Sequence, residues 1–156
     1  MEKLTFDTGI REFEINGREI LRFNPSDPNL YHRFFDTYQK IEELAAEYAK
    51  KIPSDPVELD GKGYPVASGQ LAAMHDYDSQ AKKLLSEVFG AENDFDRILG
   101  GVNLLAVARN GKCVINNFLE AMMPIIQDGA ERYAKAMADA AVAQAKQNRE
   151  QRRALK

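Results

Sequence analysis

The stretch Phe13-Glu14-Ile15-Asn16-Gly17-Arg18-Glu19-Ile20-Leu21-Arg22-Phe23, continuing through Asn24-Pro25-Ser26-Asp27-Pro28-Asn29-Leu30-Tyr31-His32-Arg33-Phe34, sets the architecture of the chain. Asn16-Gly17 supplies two residues that tolerate positive φ, as a two-residue type I′ hairpin requires. On either side, aromatic and β-branched residues alternate with charges, the pattern of a half-buried strand. Asp27 then offers an N-cap and Pro28 a first helical position, where a missing N–H costs nothing. The stretch therefore predicts an antiparallel hairpin that hands the chain directly to a helix.

Outward from this point the chain reads as mainly helical. Leu4-Thr5-Phe6 is expected to add a short strand before the hairpin. A first helix is predicted over 28–52, with Leu30, Phe34, Tyr38, Ile41, Ala45, Tyr48 and Ile52 as one apolar stripe and Asp36–Lys40 and Glu47–Lys51 paired on the other face. Six prolines and glycines between 53 and 69 predict a long mobile loop. A second helix is expected over about 70–89, buried through Leu71, Met74, Tyr77, Ala81, Leu84 and Val88, with Gly90 as its stop. One or two turns over 94–99, capped by Asn93 or Asp94, end at Gly100-Gly101, and a further short turn is expected over 104–108. The last helix begins near Lys112, extends to about Gln147, and is expected to kink at Pro124, which cannot bond the Glu120 carbonyl.

Composition bounds the function. The chain has 156 residues, 44% hydrophobic and 29% charged, enough for one domain with its own core. Its net charge of −3 gives no global attraction to nucleic acid or anionic membrane. A single cysteine, Cys113, excludes an intramolecular disulfide and any cysteine-cluster zinc site. Charges at Glu2, Lys3, Asp7, Arg11 and Glu12 leave no apolar signal segment, and no run is long enough to span a bilayer. The expectation is a soluble intracellular protein.

The hairpin, the Phe23-Asn24-Pro25-Ser26-Asp27 turn and Leu30-Tyr31-His32-Arg33-Phe34 resemble the small tail assembly chaperones of siphophages and of prophages in Gram-positive bacteria. A second region extends the resemblance: Val88-Phe89-Gly90, Arg97-Ile98-Leu99-Gly100, Asn110-Gly111, and Phe118-Leu119-Glu120-Ala121-Met122-Met123-Pro124-Ile125-Ile126. The two regions cover residues 4–126. The resemblance implies a non-enzymatic protein that coats the long, hydrophobic, helical tape measure protein until tail tube protein polymerises around it. It implies action in the bacterial host cytoplasm and absence from the mature virion. In many members a ribosomal frameshift also makes a longer form.

Read for chemistry, the residues offer little. His32 and His75 lie far apart, and His75-Asp76 with Asp78 reads as a solvated helix surface, because residues 76 and 78 point to different faces. Glu42, Glu43 and Glu47 invite comparison with all-helical nucleotide pyrophosphohydrolases, which hold magnesium on helical carboxylates. Their Glu-Glu-x-x-Glu spacing is missing, since Ala46 stands in the third place and no second acidic helix follows. Cys113 has no accompanying motif and reads as a buried or half-buried thiol. Gly61-Lys62-Gly63 lacks the spacing of a phosphate-binding loop.

These readings predict one domain over 1–156: a hairpin region at 1–27, a helical core at 28–128, and an extended basic helical tail at 129–156. No catalytic residue, metal or other cofactor is expected. Phe35, Leu44, Met122, Met123, Tyr133 and Met137 fall outside the main stripes and are the candidate partner-binding residues. The expected partners are the tape measure protein, the tail tube protein and further copies of the chain, with no membrane and no nucleic acid. The alternative is a small phage structural or DNA-associated protein that uses the basic stretch 146–156, although no aromatic residue there could stack on bases. Purified protein is expected to show no nucleotide hydrolysis with magnesium or manganese; turnover abolished by Glu43→Gln or Glu47→Gln would overturn this.

Overall fold

A computed structural model describes residues 1–51, 59–63 and 68–156. The chain forms a hairpin of β1 (Arg11–Ile15) and β2 (Glu19–Phe23), then α1 (Pro28–Lys51), α2 (Ser68–Phe89), the single turn α3 (Phe95–Ile98) and the long α4 (Val114–Ala154). This is the mainly α architecture with an N-terminal hairpin and long C-terminal helix that the sequence predicts. Residues 1–10 form no strand, and Leu4 and Phe6 are exposed, so the expected strand at Leu4-Thr5-Phe6 is absent. Most of the expected loop over 53–69, and Ile52, lie outside the described residues.

The hairpin corrects its own prediction in one respect. Asn16 and Gly17 both have positive φ, at 52° and 71°, and the Arg18 N–H donates to the Ile15 carbonyl at 3.1 Å, which is type I′ geometry. Yet Ile15 pairs with Glu19 and Phe13 with Leu21, so Arg18 is an extra residue between turn and strand. The reason lies in the side chains. A two-residue connection would pair Ile15 with Arg18 and place Phe13 and Ile15 on the opposite face from Leu21 and Phe23. One added residue puts all four on one face. Leu21 and Phe23 are buried there, Phe13 stacks on Phe23 at 4.8 Å, and Glu12 pairs outward with Arg22 at 2.7 Å.

A two-stranded sheet is marginal in water and needs a support. Asn93 provides it. Its side-chain oxygen accepts the Arg22 N–H at 2.9 Å, and its amide donates to the Arg22 carbonyl and to the Phe89 carbonyl, each at 2.7 Å. The side chain thus pairs with β2 as a neighbouring strand would and ties it to the end of α2. Gly90, at φ +108°, ends α2 with its N–H on the Ser86 carbonyl, which lets the chain turn back to Asn93.

Asp27 caps α1 by accepting the Asn29 N–H at 2.9 Å, with Pro28 as the first helical residue. Helices α1 and α2 run antiparallel: Arg33, early in α1, donates to the Val88 carbonyl at the end of α2, and Tyr48, late in α1, packs on Tyr77. The buried stripe of α1 is Leu30, Phe34, Thr37 and Ile41, continued by half-buried Leu44 and Tyr48. Tyr38 and Ala45, expected inside, are exposed instead, and so is Leu71 of α2. The rotation follows from packing on α2, the main neighbour of α1, which turns Leu30, Phe34, Thr37 and Ile41 inward together. Phe23, Phe89, Phe95 and Phe118 then join β2, α2, α3 and α4, with successive ring centroids 5.0–5.6 Å apart. The turn expected over 104–108 is present at Leu104-Leu105, where the Ala106 N–H donates to the Asn103 carbonyl at 2.9 Å, and Val107 then forms an antiparallel bridge with Cys113 around Asn110-Gly111.

Helix α4 runs uninterrupted across Pro124 and buries Ile115, Phe118, Met122, Ile126 and Gly129. Gly129 lies against the backbone of Pro25, and a Cβ there would overlap the Pro25 carbonyl. That carbonyl also accepts the Tyr31 hydroxyl at 2.6 Å, so it cannot simply move. Gly129→Ala is expected to cost about 1–3 kcal/mol, as overpacking does, whereas Ala134→Gly on the exposed stretch costs at most about 1 kcal/mol. Gly17→Val forces a β-branched residue to positive φ and is expected to cost roughly 1–3 kcal/mol. Urea midpoints check all three.

Candidate partner-binding groove

Side chains of α1 and α4 that the core does not take up meet at a surface groove of about 480 Å³, lined by Phe34, Phe35, Tyr38, Asn116, Leu119, Glu120 and Met123. The groove exists because consecutive residues of α1 divide between two surfaces. Phe34 points to the core while Phe35, 68% exposed, points over the edge, and their rings meet edge-to-face at 6.0 Å. On α4 the same division falls between Met122, 3% exposed, and Met123, 42% exposed. The lining is almost wholly apolar. Its polar rim comprises Asn116 and Glu120, and Glu120 is held by Lys112 at 2.7 Å.

Of the six residues proposed from sequence, two line this groove, Phe35 and Met123. Met122 is a core residue, 3% exposed, whereas Leu44 is half-buried, packs against the core and lines a separate surface groove of about 350 Å³ between α1 and α2. The distinction between Met122 and Met123 depends on which way α4 rolls onto the core. Tyr133 and Met137 are exposed on α4, one turn apart. Burial raises the pKa of the Tyr31 phenol, with Asp27 and Tyr133 adding to the rise, which places Tyr133 beside the start of α1. The groove residues missed from sequence are Phe34, Tyr38, Asn116, Leu119 and Glu120. Tyr38 fits the helical period of the core stripe, and the signal that could have shifted it outward is Thr37, which keeps the same period one residue earlier.

The other clusters have structural roles or stand apart. His75 and Asp76 are exposed, as are Glu42, Glu43 and Glu47. Asp78, read from sequence as solvated, is buried: its carboxylate accepts the Leu104 N–H at 2.7 Å and pairs with the buried Lys82 at 2.8 Å. Lys82 also pairs with Asp96 at 2.8 Å, which ties α2 to α3 and to the 103–105 turn. Among the described residues no three His, Cys, Asp or Glu side chains are grouped to hold a metal ion. Among them, too, no helix is long and apolar enough to cross a membrane. The chain matches no family model, no curated protein and no solved structure.

The buried ion group sets a pH dependence. Burial pulls the Lys82 pKa down, but hydrogen bonds and charge from Asp78 and Asp96 outweigh it, and the net shift is upward from 10.5. A lysine raised on folding stabilises fully below its unfolded pKa, and that contribution fades as pH rises through the folded value. Lys82→Met should therefore cost about 3–5 kcal/mol at neutral pH by stranding the Asp78 charge. Adding Asp78→Asn, which keeps an acceptor for Leu104, should recover part of the loss. The gap between wild type and Lys82→Met should narrow above pH 10.5 in urea titrations.

Proposed function

We propose that this protein is a phage tail assembly chaperone, which binds the helical, hydrophobic tape measure protein and keeps it soluble while the tail tube assembles. The observation that carries this reading is the apolar groove between α1 and α4, whose Phe35, Tyr38, Leu119 and Met123 offer side chains to an amphipathic helix. Helix-in-groove binding of this kind reads apolar anchors at i, i+3, i+4 and i+7 of the guest. The exposed methionine suits a surface that accepts varied apolar guests. The resemblance of residues 4–126 to tail assembly chaperones supplies the identity of the guest, with tail tube protein as a further partner.

On this reading the protein acts without catalysis in the bacterial host cytoplasm and is left out of the finished virion. A burying groove and an electrostatic tail differ in salt response. Apolar binding survives moderate salt, whereas binding through phosphate contacts to the basic stretch 146–156 would weaken steeply.

The test is co-expression with a tape measure protein encoded downstream. Wild type should hold that partner in the soluble fraction. Phe35→Asp/Met123→Asp, which changes exposed residues, should lose this activity while keeping its helical circular dichroism. Solubilisation that survives this variant but fails when residues 146–156 are deleted would overturn the groove as the site.

A further inference from the structure

Beyond the groove, α4 continues where the body of the fold no longer reaches it. Residues 131–154 are helical and exposed throughout. Their sequence is nonetheless patterned. Ala130, Tyr133, Met137 and Ala140 follow alternating steps of three and four, the seam of a two-helix coil, in phase with the exposed Met123 seven residues before them. Beside that seam stand Ala134, Ala136, Ala141 and Ala143, small enough to let a second helix come close. The charges Asp128, Glu131, Arg132, Lys135 and Asp139 all fall on the other side of the helix. A solvated helix has no reason to sort its residues in this way.

Charge identifies the occupant. Residues 146–156 carry five basic residues and Glu150, a net of +4, while the whole chain is −3, which leaves −7 on residues 1–145. Two copies side by side and parallel would bring two cationic ends together. Two copies antiparallel would lay each cationic end along the anionic body of the other. We propose that α4 pairs antiparallel with α4 of a second copy, Tyr133 of each packing on Met137 of the other and Ala130 on Ala140. In that register the basic stretch of one copy passes residues 114–124 of the other and so lies beside its groove. Gln144, Gln147 and Gln151 occupy the later seam positions, so the apolar contact is short and the pair dissociates on dilution. This inference does not depend on the identity of any client.

Sedimentation velocity across a dilution series tests it. Wild type should shift from dimer to monomer as it is diluted, with tighter association at low salt. Met137→Asp should be monomeric throughout with unchanged helix content, since Met137 is 49% exposed and outside the core. Arg149→Glu/Arg152→Glu/Arg153→Glu, which leaves the seam intact, should weaken association roughly tenfold at low salt, about what several exposed ion pairs supply. Orientation is read from spin labels on Asn148→Cys in a Cys113→Ser background. The antiparallel pair puts the two labels about 40 Å apart at 1.5 Å per residue, and a parallel pair about 10 Å apart, the spacing of packed helices. A monomeric wild type, a dimer indifferent to Met137→Asp or to the charge reversals, or the short label distance would each overturn the proposal.

Discussion

The structure depends on one buried side chain, Asn93, which is 2% exposed and bonds both main-chain groups of Arg22. A hairpin of five-residue strands buries too little to stand alone, and the outer edge of β2 would otherwise leave polar groups without partners against an apolar core. Asn93 satisfies them as a third strand would. Its second amide bond goes to Phe89, and its own carbonyl accepts the Ser86 hydroxyl at 2.8 Å, so the same residue closes the end of α2. The hairpin, the α2 terminus and the start of α3 are thereby one rigid unit. Helix α1 packs beneath that unit and α4 closes it.

From this unit follows the position of the groove. Packing of Leu30, Phe34, Thr37 and Ile41 toward α2 and the core sets the roll of α1, and that roll turns Phe35 and Tyr38 outward. At its first half α4 is held by Phe118 against Phe89 and Phe95 and by Gly129 against Pro25, and this roll turns Leu119 and Met123 toward the same opening. The groove is the seam left where two helices each bury one face and share a second. Farther along α4, Tyr133 stands exposed beside Tyr31 and Met137 one turn beyond it. The Lys82 group lies elsewhere and has a different purpose: it holds α3 and the 103–105 turn onto α2 through charge and hydrogen bonds rather than apolar area.

Sequence by itself determined the elements. Asn16-Gly17, Asp27-Pro28, Gly90 and Asp94 act through their own backbone conformation or through neighbours two to four residues away, so their meaning is local and survives without a fold. The helical period likewise marks α1, α2 and α4, and the alternation of Phe13, Ile15, Leu21 and Phe23 even contains the hairpin register, since residues of equal parity can share a face only with an odd loop. Tertiary structure alone decided the rest. Whether Thr37 or Tyr38 turns inward, whether Met122 or Met123 is free, and whether Asp78 is solvated depend on the roll of one helix against another. A roll of one residue changes burial completely while leaving the period untouched. Asn93 could be read from sequence only as a candidate cap, a role that Asp94 takes instead, because its partner Arg22 lies 71 positions away and a polar side chain gives no sign of which distant backbone it will satisfy.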